Sequence, residues 1–145
     1  MHPMTRERLE AYRSNRQEIM ELEFMLHNRW KSESMIGLDT ILNYSRGFPA
    51  PETVAGFDQD RYERLQNRDM LRKTYLEEEC RAVEEFIGEI QNSLIRRIFQ
   101  LYFTYGEKKL SQAKIADLVH LDRSVISRKI DDYLKLAHKT QKTHL

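Results

Sequence analysis

The sequence predicts an all-α protein, a long coiled-coil-like helical hairpin followed by a C-terminal helix-turn-helix. Three observations predict it. Charged residues make up 32% of the chain and hydrophobic ones 40%, against only 5 Gly and 3 Pro. That composition favours helix, because straight-chain residues lose little rotamer freedom there. Two long stretches carry apolar residues at three- and four-residue steps, the spacing of one helix face. Residues that break helices gather between those stretches, and a short capped pattern follows the second.

The first helix is expected from Thr5 to Ser32. Thr5 offers a side-chain oxygen as N-cap, and Leu9, Tyr12, Ile19, Leu22, Met25, Leu26 and Trp30 recur along one face. Arg16 and Glu23 interrupt the seam. Trp30 and Phe24 are read as core or dimer packing. The segment Glu33–Phe57 holds Gly37, Gly47, Gly56, Pro49 and Pro51, so a linker with one short helical turn around Leu38–Tyr44 is expected. From Asp58, an N-cap residue, a second helix is expected to run to Tyr105, with Gly106 as its left-handed stop. Along it Leu76, Cys80, Val83, Ile87, Ile90, Leu94, Ile98 and Leu101 keep helical steps. Gly88 lies inside that run at a cost of about 1 kcal/mol relative to Ala. The expected division is therefore 1–57, an amphipathic helix and linker; 58–106, a long dimerisation helix; and 107–145, a helix-turn-helix domain. Two such stripes on a thin hairpin leave apolar surface to cover, which predicts a homodimer.

The stretch from Leu110 to Leu136 carries the functional expectation. Ser111 can cap a first short helix, with Gln112 and Lys114 near its N-terminus, where free N–H groups favour a phosphate. Ile115, Leu118 and Val119 are read as its buried face, and Ala116 as the small residue where a second helix crosses. His120-Leu121-Asp122 is the turn, with His120 at a position where positive φ, and hence Gly, is usual. Asp122 is expected to cap the second helix through its carboxylate. Val125, Ile126, Ile130, Tyr133 and Leu134 are the candidates to anchor that helix. Arg123, Ser124, Ser127 and Arg128 are then left facing outward. In a major groove Arg can bond bidentately to guanine, and Ser can bond a base or phosphate. Lys129 and Lys135 would fall near the backbone, and Asp131 and Asp132 should point away from it. Reading double-stranded DNA with helix 123–136, inserted in the major groove, is the expected task. The candidate contact residues are Ser111, Gln112, Lys114, Arg123, Ser124, Ser127, Arg128 and Lys129.

Charge agrees with that expectation. Residues 108–145 carry 9 Lys and Arg against 4 Asp and Glu, whereas residues 1–107 carry 15 against 19. A basic end on an acidic remainder suits a polyanion.

The segment Leu94-Ile95-Arg96-Arg97-Ile98-Phe99-Gln100-Leu101-Tyr102-Phe103, followed by Leu110-Ser111-Gln112, resembles the fourth conserved region of bacterial sigma factors. The whole chain resembles small phage and prophage regulators of the ArpU and RinA kind. The corresponding pieces, in order, are Leu9-Glu10-Ala11-Tyr12-Arg13, Phe48-Pro49-Ala50-Pro51, Glu84-Glu85-Phe86-Ile87 and Arg96-Arg97-Ile98-Phe99. The resemblance implies a phage-derived transcription regulator that contacts promoter DNA, with RNA polymerase as a further candidate partner. Two departures stand out. Ser111 replaces the usual Trp or Thr, and the helix from Arg123 is closer to repressor-type helices than to sigma ones.

Other chemistries find no foothold. There is no Gly-rich phosphate loop, no His-Glu-x-x-His and no set of zinc ligands, so neither an enzyme nor a cofactor is expected. His27, His120, His138 and His144 are dispersed, and Cys80, the only cysteine, is read as a buried small hydrophobe. The run Glu77-Glu78-Glu79 and the pair Glu84-Glu85 read as an ion-paired, solvated helix face. With no apolar run of about 18–20 residues and no signal-peptide core after Met1, a cytoplasmic location is expected. Two alternatives remain. One is a recognition subunit for phage DNA packaging, of the small-terminase type. The other is a protein that grips RNA polymerase without DNA specificity of its own.

Overall fold

The computed structural model describes residues 3–31 and 57–143. The linker reading at Glu33–Phe57, with its helical turn at Leu38–Tyr44, lies outside those residues except for Phe57. All regular structure among them is helical, and no strand forms. In chain order the elements are α1 (Arg6–Glu10), α2 (Tyr12–Asn28), a 3₁₀ turn (Arg29–Lys31), α3 (Gln59–Gly88), α4 (Ser93–Phe99), a π turn (Gln100–Thr104), α5 (Gln112–Val119) and α6 (Arg123–Thr143). The chain folds as two compact units, Met1–Gln17 with Glu77–Leu145, and Glu18–Leu76. Helices α2 and α3 have residues in both.

In the unit Glu18–Leu76, Ile19 and Leu76 are buried, and Leu22 and Leu26 half-buried. Its buried charges form one network. Arg29 pairs with Asp69 and donates to Gln66 Oε1 at 2.7 Å, while Gln66 donates to the Leu26 carbonyl at 3.2 Å. Arg68 adds a second cation on Asp69 at 3.0 Å. Burial alone would raise the Asp69 carboxyl; hydrogen bonds from Arg68 and Arg29 outweigh it and hold the group below the usual carboxylate range. Phe24 and Trp30, read as core or dimer packing, are 68% and 55% exposed, so neither belongs to this unit's core.

The larger unit holds the hydrophobic core. Thr5 caps α1, accepting from the Arg8 N–H at 3.2 Å as its residue type predicts. This places Leu9 wholly inside the core, with Val83 and Ile87 of α3, Ile98 and Phe99 of α4, Ile115 and Val119 of α5, and Ile126 and Ile130 of α6. Arg8 pairs with Glu79 at 2.9 Å and the Tyr12 hydroxyl donates to Glu84 at 3.2 Å. Both acidic runs therefore hold N-terminal residues as well as facing solvent. Cys80 is buried, and burial pushes its thiol upward.

The apolar stripe of the second helix is correct in phase and wrong in continuity. Leu76, Cys80, Val83, Ile87, Ile90 and Ile98 are all buried, yet α3 stops at Gly88 and α4 starts at Ser93. Gly88 weakens the helix, and Asn92 is a strong competing cap whose side chain accepts the Ile95 N–H at 3.0 Å. The break lets Ile90 turn fully inward, and Arg96 donates to its freed carbonyl at 2.7 Å. Beyond α4 the helix loosens into the π turn, where Tyr105 N–H reaches back five residues to Gln100 O at 2.8 Å. Gly106 follows at φ +70°.

Candidate nucleic-acid interface

Helices α5 and α6 are joined by His120-Leu121-Asp122. Ser111 caps α5, its hydroxyl accepting from Lys114 N–H at 3.1 Å. At the other end His120 takes φ +58°, ψ +46°, a left-handed conformation that costs an L-residue about 1–2 kcal/mol. The turn gains in return a bond from Leu121 N–H to Ala116 O at 2.9 Å, which satisfies a helix-end carbonyl. Leu121 packs against the core from this position. Asp122 stands exposed just before α6. The expected carboxylate cap does not form among the described residues; Val125 N–H donates instead to the Asp122 carbonyl at 3.0 Å.

The undersides of both helices are apolar. Ile115, Ala116 and Val119 are buried on α5, and Ile126, Ile130 and Leu134 on α6. Val125 and Tyr133 are half-buried. Leu118, expected inside, is 39% exposed; Ala116 takes the inward position, where a small side chain allows close crossing.

Arg123, Ser124 and Arg128 are exposed on the first two turns of α6. Ser124 and Arg128 are four residues apart and so share a face. Ser111 and Lys114 are exposed at the start of α5, and Gln112 is half-buried there. Lys108, Lys109, Lys135 and Lys139 are exposed too, so the surface of this helix pair is predominantly basic. Lys129 is half-buried and lines a different cleft, beside Asn92, Asp132 and Tyr133.

Ser127 is not free. It accepts from Arg6 of α1 at 3.1 Å, and the same Arg6 nitrogen reaches Asp131 Oδ1 at 2.7 Å. The other terminal nitrogen donates to the Tyr102 hydroxyl at 3.1 Å. Lys109 Nζ lies 4.7 Å from the centre of the Tyr102 ring. Burial would raise the Tyr102 phenol; the bond from Arg6, with the Arg6 charge and the nearby polar groups of Lys109 and Gln112, pulls it below its usual range. Burial likewise works against the Arg6 charge, and Tyr102 and Asp131 outweigh it, leaving the guanidinium more firmly protonated than usual. Ser127 and Asp131 of α6 and Tyr102 of the π turn thus meet at Arg6. Nothing local in the sequence marks Arg6 or Tyr102 for this role, since the partners lie 96 to 125 residues apart.

Among the described residues no three His, Cys, Asp or Glu side chains are grouped to hold a metal ion, and no helix is long and apolar enough to cross a membrane. Comparison of the chain with protein-family models, with curated proteins and with solved structures finds no match.

Proposed function

We propose that α5 and α6 are a helix-turn-helix that binds double-stranded DNA, with α6 from Arg123 to about Leu136 lying in the major groove, and that the protein is a sequence-specific transcription regulator. One observation carries the reading. Ser124 and Arg128 stand exposed on the side of α6 opposite Ile126 and Ile130, which are wholly buried, and Arg123 is exposed at the helix start. Such a helix offers guanidinium and hydroxyl groups to base edges without disturbing its own anchorage. The left-handed turn at His120 and the capped start of α5 support the same reading, because they fix the angle at which a phosphate and a base edge would be met together.

The regulator acts as a homodimer paired through the long helical hairpin of α2 and α3. Support comes from the large apolar side chains the unit Glu18–Leu76 leaves exposed, among them Phe24 at 68% and Leu71 at 73%. Two readers would then meet half-sites roughly 34 Å apart. The likeness to phage regulators suggests promoter DNA as the target, with RNA polymerase as a further partner.

Arg128→Ala tests the reading. It should cost about 1–3 kcal/mol on the preferred site and relax one base position. An equal loss on preferred and random duplexes would mean that Arg128 touches phosphate alone.

A further inference from the structure

A carboxylate stands on the proposed DNA-binding helix at Asp131, one turn beyond Ser127 and three residues beyond Arg128. It is 48% exposed at the side chain. A phosphate approaching α6 would meet this charge at close range, where like charges repel strongly. The chain brings a cation to it from its other end. Arg6 bridges Asp131 and Ser127 with one nitrogen and Tyr102 with another, while its Nε faces Glu10 Oε1 at 3.3 Å. Its guanidinium also lies 5.4 Å from the centre of the Tyr102 ring. Helix α1 cannot drift from this position, because Leu9 is wholly buried and Arg8 is paired with Glu79.

We infer that Arg6 is a positioning residue for DNA binding: it cancels the Asp131 charge and ties Ser127 of α6 to Tyr102 of the π turn. The inference rests on the proposed DNA-reading role of α5 and α6 and adds to it a dependence on the N-terminal helix. Without Arg6 the carboxylate faces incoming phosphate unopposed, and Ser127 loses the donor that orients it. The defect is electrostatic first, so removing the negative charge should repair most of it. Asn at 131 keeps an oxygen for Arg6 and carries no charge, so the single change Asp131→Asn leaves the Arg6 contacts in place.

The test is fluorescence anisotropy of a labelled duplex at several salt concentrations, with the natural chain, Arg6→Ala, Asp131→Asn and the double variant, each checked for helix content by circular dichroism. The expected result is about a tenfold weaker complex for Arg6→Ala at low salt, with the double variant within about threefold of the natural chain. Asp131→Asn alone should bind at least as tightly as the natural chain. Should Arg6→Ala lose its helix content, Arg6→Gln replaces it, with the same expectations. An Arg6 variant that binds as the natural chain does, a double variant as weak as the single one, or a weakened Asp131→Asn overturns the inference while leaving the DNA-reading role intact. A natural chain that does not bind duplex at low salt overturns that role, and the inference with it.

Discussion

Arg13 donates to the main-chain carbonyl of Tyr102 at 2.8 Å across 89 residues of sequence. The same guanidinium reaches the carbonyls of Leu101 at 3.3 Å and Tyr105 at 2.9 Å. These are carbonyls that the end of the π turn leaves without helical partners, so Arg13 acts as a cap supplied by another helix. Arg6 and Arg13 together make α1 and the start of α2 part of the scaffold under α5 and α6.

Arg13→Ala should therefore destabilise the larger unit, although it removes no core atom. Hydrogen bonds to a charged group contribute about 1.5–3 kcal/mol. Urea unfolding followed by circular dichroism should show a lower midpoint, with Arg13→Lys recovering only part of the loss because an ammonium cannot span three carbonyls in a plane.

The buried Arg29–Asp69 pair predicts a pH dependence. The Asp69 carboxyl is held below its usual range by Arg68 and Arg29 against the opposing effect of burial. A carboxyl depressed in the folded state contributes stability that is present above its unfolded pKa of about 3.9 and lost as pH falls through the folded value. Melting temperature should fall as pH drops below about 4, and Asp69→Asn should flatten that fall. At neutral pH the same variant strands Arg29, which is 3% exposed, at a cost of about 3–5 kcal/mol.

Two left-handed positions predict opposite responses. His120→Gly relieves a strained L-residue and should raise stability by up to about 1 kcal/mol, after the entropy cost of glycine in the unfolded chain. Gly106→Ala introduces the same strain at φ +70° and should cost about 1–2 kcal/mol. A Cβ there meets no atom within 4 Å, so the loss would come from the backbone alone. Thermal unfolding of both variants checks the pair of signs.

Oligomeric state gives an independent prediction. The proposed dimer should have twice the 17.4 kDa chain mass by sedimentation, and Leu71→Glu with Phe24→Glu should return it to the monomer. A ring of eight or more copies would favour a DNA-packaging role instead.

Local signals in the sequence were sufficient for much of this fold. Caps at Thr5 and Ser111, the left-handed turn at His120 and the apolar undersides marked by Ile115, Val119, Ile126 and Ile130 all follow from a few neighbouring residues. Continuity was harder. The stripe from Leu76 to Ile98 keeps helical steps in the sequence, yet the chain leaves the helix between Gly88 and Ser93. The scaffold contacts were not legible. Arg6, Arg13 and Tyr102 look like ordinary residues of amphipathic helices, and only three-dimensional closure brings them together. Ser127 illustrates the consequence: spacing placed it outward, and the arginine it meets comes from the far end of the chain.

Selection of bound duplexes from a random pool decides whether α6 reads DNA, because it reports binding, specificity and spacing at once. The expected result is an enriched site with two half-sites about one helical turn apart, related as a palindrome or a direct repeat, and loss of one base preference when Arg128 is changed to Ala. A pool that stays random, together with no retention of DNA even at low salt, would contradict it.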